Sequence, residues 1–307
     1  MVFHLTLRHF ATKKYSDRLM ATSILKRIRS GRETKEEMTF IDHLEALRWH
    51  IVRSLVAVLI IAIAIFLNID WIFDHVITGP LQPNFITYIK LCQLSHWLHI
   101  GDALCMPPIT VKMQAIGFSS QFMSSITISF VGGFIAAFPY IFWEFWRFVK
   151  PALTPTEVRS TRGSIFYVSL FFFTGAAFAY FLLGPFTFNF LSNYTLGTSQ
   201  ILETKPTLDD YLENLVNLVL GCGIAFELPV LAYALTKMGL ITPEFLVTYR
   251  KYAIVVILVL AAVITPSPDW SSQLLVFFPL FLLYQLSIAV SRRAMKEEEK
   301  KEKEEWS

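Results

Sequence analysis

Charge is scarce in this chain, and the usual motifs of chemistry are scarcer. Only 17% of the 307 residues are charged, while 54% are hydrophobic. Soluble domains carry about 25% charged residues, so a water-exposed fold would lack the polar surface to cover this chain. The three cysteines, Cys92, Cys105 and Cys222, are too few for a disulfide framework and make no C-x-x-C pair, which removes the usual signs of a redox or zinc motif. There is no phosphate-binding Gly-rich loop, no H-E-x-x-H and no G-x-S-x-G, and no His or Cys cluster at ligand spacing. Histidines are scattered through the N-terminal region and the first long loop. An enzyme, a cofactor site or a metal site is therefore not expected. The net charge of +3 is too small to point to nucleic acid.

What is present is apolar sequence in long blocks. Crossing the roughly 30 Å hydrocarbon layer takes about 20 helical residues. Four runs reach that scale: Ile51–Leu67, Phe118–Phe145, Ile165–Phe186 and Leu215–Leu235. The second carries a polar face of Ser119, Ser120, Ser124 and Ser125. Two shorter runs, Ala253–Thr265 and Gln273–Val290, flank the interruption Thr265-Pro-Ser-Pro-Asp-Trp. They read either as two short crossings in a locally thinned bilayer or as a re-entrant hairpin. The expected fold class is an all-α integral membrane protein with six transmembrane helices. Pro139, Pro185, Pro229 and Pro279 lie in or at the ends of these runs, where proline kinks a helix. Kinked helices can form a curved wall.

The basic residues test this topology, because cytoplasmic flanks carry the positive excess. Counted over alternate loops, 24 of the 27 Lys and Arg fall on one side and 3 on the other. Both termini are therefore expected in the cytoplasm. Residues 1–37 read as a basic extension without an apolar stretch of signal-peptide length, or as the product of a start preceding a true initiator at Met38. Residues 38–293 form the membrane domain. Residues 294–307 form a charged tail, either a solvated helix or disordered. The loop from Asn68 to Gly117 is long enough to hold short helices. Its Cys92 and Cys105 would face an oxidising space, where they are candidates for a disulfide.

Within the apolar runs, ionisable residues stand out. Glu227 falls near the middle of the Leu215–Leu235 run, where an ionisable group costs at least a few kcal/mol and is usually functional. A merely structural, protonated Glu, a proton-relay carrier and a recognition site in a cavity all fit it. Glu144 and Arg147 are three apart, so they can pair along one helix face, and an interfacial surface pair is the expectation. Glu157 follows among several cations, where a lone carboxylate is ordinarily solvated. Thr39 and Asp42 resemble a capping box opening an amphipathic helix with Phe40, Leu44, Leu47 and Ile51 on its apolar stripe and Asp42 and Glu45 on the polar side.

In this order and spacing the segments His43-Leu-Glu-Ala-Leu-Arg, Phe145-Trp-Arg-Phe-Val-Lys-Pro-Ala-Leu, Ala177-Phe-Ala-Tyr-Phe, Gly223-Ile-Ala-Phe-Glu-Leu-Pro-Val, Thr265-Pro-Ser-Pro-Asp with Gln273, and Ser291-Arg resemble the TatC family. TatC is the core membrane component of the twin-arginine protein translocase, and the resemblance runs from about Met38 to Arg293. It implies a cupped six-helix protein of the bacterial inner membrane that recognises paired-arginine signal peptides. It also implies export of folded cargo, driven by the proton-motive force, with small single-span TatA/TatB-type partners and more than one copy in the complex. By the same resemblance Glu157 and Phe148 belong to the signal-peptide site, Glu227 faces the concave side, and Asp269 and Gln273 are structural or partner-contact positions. One residue departs from the pattern: Ala46 stands where the family has its arginine-binding Glu. Glu45 or Asp42 is expected to substitute. The alternative function is a proton-coupled secondary transporter using Glu227, against which stands the absence of two matching halves with broken spans.

Overall fold

A computed structural model describes residues 40–99, 101–102, 105, 107, 113–152, 163–194, 205–265 and 270–305. The chain divides into two compact units, residues 1–49 and 50–307. The described part of the first is the opening of helix α1 (Phe40–Phe66). The extension 1–37 and the Thr39 cap lie outside the described residues. Among the described residues the regular structure is helical, with one isolated bridge between Gln114 and Thr207.

Five helices are long and apolar enough to cross a membrane among the described residues: His43–Phe66, Ser120–Val149, Ile165–Asn193, Leu208–Lys237 and Gln273–Glu297. They cover, to within two residues at an end, the four long apolar runs and the last short one. Helix α4 is Ser120–Val149, with Pro139 inside it. The third crossing is α5 (Ser164–Phe178), a π-helical turn at Ala179–Leu183, and α6 (Gly184–Asn193), which Pro185 opens. The fourth is α7 (Leu208–Ala225) followed, after a break at Phe226–Glu227, by α8 (Leu228–Lys237), which Pro229 opens. After the short α9 (Pro243–Thr248), helix α10 (Arg250–Ile264) has 15 residues, about 22 Å of rise, and is thus shorter than the other five. The last helix, α11 (Trp270–Glu305), contains Pro279 and continues through the charged tail. Each interruption coincides with a proline or sits one turn before one, as the missing backbone donor requires.

Lipid tails are as apolar as leucine, so helices in a bilayer gain little from burying apolar surface and associate by close packing. Small residues make that approach possible here. A Cβ at Gly133 would lie 2.9 Å from the Val58 carbonyl oxygen, which sets α4 directly on the backbone of α1. A Cβ at Gly175 would lie 2.6 Å from the Cys222 carbonyl oxygen and 2.7 Å from Phe226. Gly223 returns the contact, with the Phe172 ring where its Cβ would be. Phe172 is fully buried and stacks on Phe138 of α4 at 3.6 Å between centroids. Buried Leu183, Leu218, Val276 and Leu280 carry the core from the π turn after α5 through α7 to α11.

The loop 68–117 does hold short helical pieces, among them α2 (Ile69–Ile72) and α3 (Ile86–Trp97). Between these two lie a π turn (Phe73–Ile77) and a 3-10 turn (Gly79–Leu81). Three tyrosine hydroxyls reach their carbonyls: Tyr180 donates to Val76 O at 2.5 Å, Tyr211 to Ile77 O at 2.6 Å and Tyr88 to Pro80 O at 2.8 Å. Burial pushes the Tyr88 phenol up to about 12, so it remains a donor at physiological pH. Thr87 adds a bond to the Phe181 carbonyl. Asp209, in the first turn of α7, accepts from Ser120 Oγ at 2.6 Å and Ser124 Oγ at 3.1 Å. The serine face of α4 therefore meets a carboxylate.

Substituting Gly175 by Val should force α5 and α7 apart and cost about 1–3 kcal/mol. Thermal unfolding in detergent should show a lower midpoint for this variant, whereas Gly117→Ala, with no neighbour closer than 3.7 Å, should match the parent.

Candidate functional site

Two carboxylates inside the helical body are treated in opposite ways. Glu227 sits at the break between α7 and α8, 9% exposed, and its Oε1 is buried without a hydrogen-bond partner among the described residues. The break has a local cause. Pro229 cannot donate to the preceding turn, and the Glu227 and Leu231 amides close the short turns around it. A carboxyl oxygen held away from both water and donors is costly, and such a group stands ready for a partner.

Glu144 is only 1% exposed but fully engaged. It lies near the end of α4, and the groups that meet it come from α4 and α1. His50 Nδ1 stands 2.5 Å from Oε2, and Tyr140 donates its hydroxyl to Oε1 at 2.9 Å. An ionised carboxylate only accepts, so the proton of the His50 bond is on Nδ1. Arg147 Nη1 approaches Oε1 at 3.6 Å and Arg53 Nη1 approaches Oε2 at 4.0 Å. The expected Glu144–Arg147 pair exists, but it is not a surface pair: the carboxylate is buried between two helices. The sequence offers only His50 as a signal, a histidine in the amphipathic opening of α1 with Arg53 three residues on. The scattered-histidine reading missed it.

The residues singled out from the sequence separate as follows. Phe148 lies one turn beyond Glu144 and meets the His50 ring edge-on at 6.2 Å. Glu45 is solvent-exposed on α1, and Ala46 beside it is half-buried. Asp42 lies in α1, but its side chain is outside the described residues, as are Glu157 and Asp269 entirely. Gln273 donates to the Leu258 carbonyl at 3.1 Å, which ties α11 to α10. Cys92 and Cys105 are joined in a disulfide across 13 residues of the first loop. His96 and Asp102 gather with them, all four groups within 4.8 Å. With both sulfurs bonded to each other, no thiolate is left to ligate a metal. At the Arg147 end, Thr236 and Ser291 share a buried hydroxyl–hydroxyl bond of 2.6 Å between α8 and α11, and Lys237 reaches Glu297 at 3.4 Å.

A helical membrane protein with an intramembrane carboxylate at a proline-opened break, and a second braced between its first two long helices, belongs to the class of multi-span transport and translocation proteins. The comparisons give the family. The family model described as "Sec-independent protein translocase protein (TatC)" matches residues 42–279. The protein of that name from Blattabacterium sp. subsp. Periplaneta americana (strain BPLAN) is 39% identical over 260 residues, covering 84% of this chain and 96% of its own. The one from Aquifex aeolicus (strain VF5) is 34% identical, covering 87% of this chain and 100% of its own. A crystal structure of the twin arginine translocase receptor TatC is 34% identical, with a TM-score of 0.64, covering 82% of this chain and 99% of that one. The chain belongs to the TatC family and is a component of the Sec-independent protein translocase.

Replacing Glu144 by Ala would leave His50 and Tyr140 without their acceptor and two guanidiniums without a counter-charge. A loss of about 2 kcal/mol or more is expected. Glu144→Gln keeps an acceptor oxygen and should lose less, and the order Ala below Gln below parent should appear in thermal unfolding in detergent.

Proposed function

We propose that this chain is the receptor and core of the twin-arginine translocation machinery. It recognises paired-arginine signal peptides and exports folded proteins with small single-span partners of the TatA and TatB type, using the proton-motive force. The observation that carries this reading is the family match, which extends over nearly the whole length of the relatives. It acts by recognition and assembly and performs no covalent chemistry. It works in the bacterial inner membrane, in more than one copy.

The chain crosses six times, α10 being the fifth and shortest crossing and α11 the sixth, and keeps both termini in the cytoplasm. The 24-to-3 division of Lys and Arg supports that orientation. On it, the Arg147 end of α4 and residues 153–162 face the cytoplasm, and the Cys92–Cys105 bond faces the oxidising side. Phe148 and Glu157 form the cytoplasmic signal-peptide site, with Glu45 or Asp42 supplying the carboxylate that Ala46 lacks. A guanidinium pair is best held by carboxylates in bidentate geometry, partly withdrawn from water. Glu227 receives the apolar part of the signal peptide or a partner span through the face that leaves Oε1 unpartnered. Asp269 and Gln273 are structural or partner-contact positions.

Depleting the protein in its host should stop export of a folded reporter whose signal carries Arg-Arg and leave a Sec-dependent reporter unaffected. Unchanged Arg-Arg export would reject the reading. Among variants, Glu157→Gln combined with Asp42→Asn and Glu45→Gln should reduce export of the Arg-Arg reporter at least tenfold at equal protein abundance, since each charged hydrogen bond lost is worth roughly 1.5–3 kcal/mol. Wild-type export by the triple variant would remove these three carboxylates from the site. A Glu227→Gln variant separates the rival carrier: loss of proton-coupled solute uptake with intact protein export would favour the transporter.

A further inference from the structure

The charges around Glu144 do not balance. One carboxylate faces two guanidiniums, Arg53 and Arg147, and the His50 ring. Even with His50 neutral, a surplus positive charge remains. The close bonds to the carboxylate are those of His50 and Tyr140. The guanidiniums stand farther off, at 4.0 and 3.6 Å, beyond good hydrogen-bond distance. They are attracted by charge yet keep donors to give. Both side chains are half exposed, 50% for Arg53 and 47% for Arg147.

Their surroundings are apolar. Arg53 heads a stripe on α1 at spacings of three, four and three, formed by Val56, Ile60 and Ile63, all exposed. Arg147 heads a second on α4, with Trp143 four residues back and Tyr140 seven back, both exposed. Its guanidinium lies over the Trp143 ring at 4.9 Å. Residues three and four apart share a helix face, so each arginine stands at the end of an apolar strip long enough to lie against an acyl chain. Tryptophan and tyrosine at that level are typical of the headgroup boundary.

We propose that Arg53 and Arg147 form a binding site for the phosphate of an anionic phospholipid, with its acyl chains along the Val56–Ile60–Ile63 and Trp143–Tyr140 strips. Glu144 draws one guanidinium to each of its two oxygens, at 4.0 and 3.6 Å, without consuming their donors, and guanidinium matches phosphate oxygens in pairs. Basic pockets between transmembrane helices take such headgroups. Free phosphate shares the headgroup chemistry but gains nothing from the apolar strips, which is why the lipid is the occupant. The inference rests on membrane embedding alone, so it stands or falls separately from signal recognition.

The test is native mass spectrometry of the full chain in neutral detergent, titrated with phosphatidylglycerol or phosphatidylcholine. Phosphatidylglycerol should bind selectively, and Arg53→Gln with Arg147→Gln should weaken it about thirtyfold. Arg292→Gln with Arg293→Gln removes the same charge from exposed positions on α11 and should leave binding intact. Should the Gln pair fail to fold, Arg53→Lys with Arg147→Lys keeps the charge but not the fork, and a several-fold loss of phosphatidylglycerol binding is expected. Equal loss in the α11 pair, no loss in either Arg53/Arg147 pair, or displacement of the lipid by equimolar inorganic phosphate would overturn the proposal.

Discussion

The structure depends on backbones coming close to one another in a solvent that offers no hydrogen bonds and little hydrophobic drive. In hydrocarbon a helix has no apolar debt to settle by packing, so contact must come from shape. At Gly175 and Gly223 the α5 and α7 helices exchange hydrogen for ring and carbonyl, and at Gly133 α4 rests on the α1 backbone. Phe172 and Phe138 then fill the space that these approaches define. The core from Leu183 through Leu218 to Leu280 follows from that placement, since these side chains can interdigitate only once the helix axes are near enough.

Such close packing makes the placement of polar groups consequential. Water cannot rescue a misplaced carboxylate, so each one inside the body is either answered by neighbours or left wanting. Glu144 is answered by a ring nitrogen and a phenol, with two guanidiniums at longer range. Glu227 is left with an unpartnered oxygen. The difference arises from backbone context. Glu144 lies on an unbroken helix whose face meets His50, whereas Glu227 lies at a break where Pro229 restarts the chain. One carboxylate fixes the arrangement of two helices, and the other offers capacity for something that arrives.

Much of the fold could be read from the residues because a bilayer imposes a length requirement visible in one dimension. The long apolar runs, the helical pieces of the first loop and the prolines at the breaks all follow from local sequence. Glu227 stood out for the same reason, as an ionisable residue in an apolar run. Glu144 did not, because Glu-x-x-Arg at the end of a span looks like any interfacial pair and its decisive partner lies 94 residues away. The role of Gln273 was likewise hidden: its amide meets a backbone carbonyl, and carbonyl positions leave no trace in residue type. The tight glycines were invisible as contacts, since a glycine within a helix does not say what stands beside it.

The three tyrosine hydroxyls on residues 76–80 come from α3, the π turn before α6, and α7. They work as a keystone does in an arch. A short irregular segment is gripped by members that are otherwise far apart in the chain, so none of them can tilt without dragging the others or giving up a hydrogen bond to it. Rearrangement at that end of the molecule is therefore collective, while the proline-opened joint at Glu227 leaves the opposite half of the fourth crossing free of that linkage.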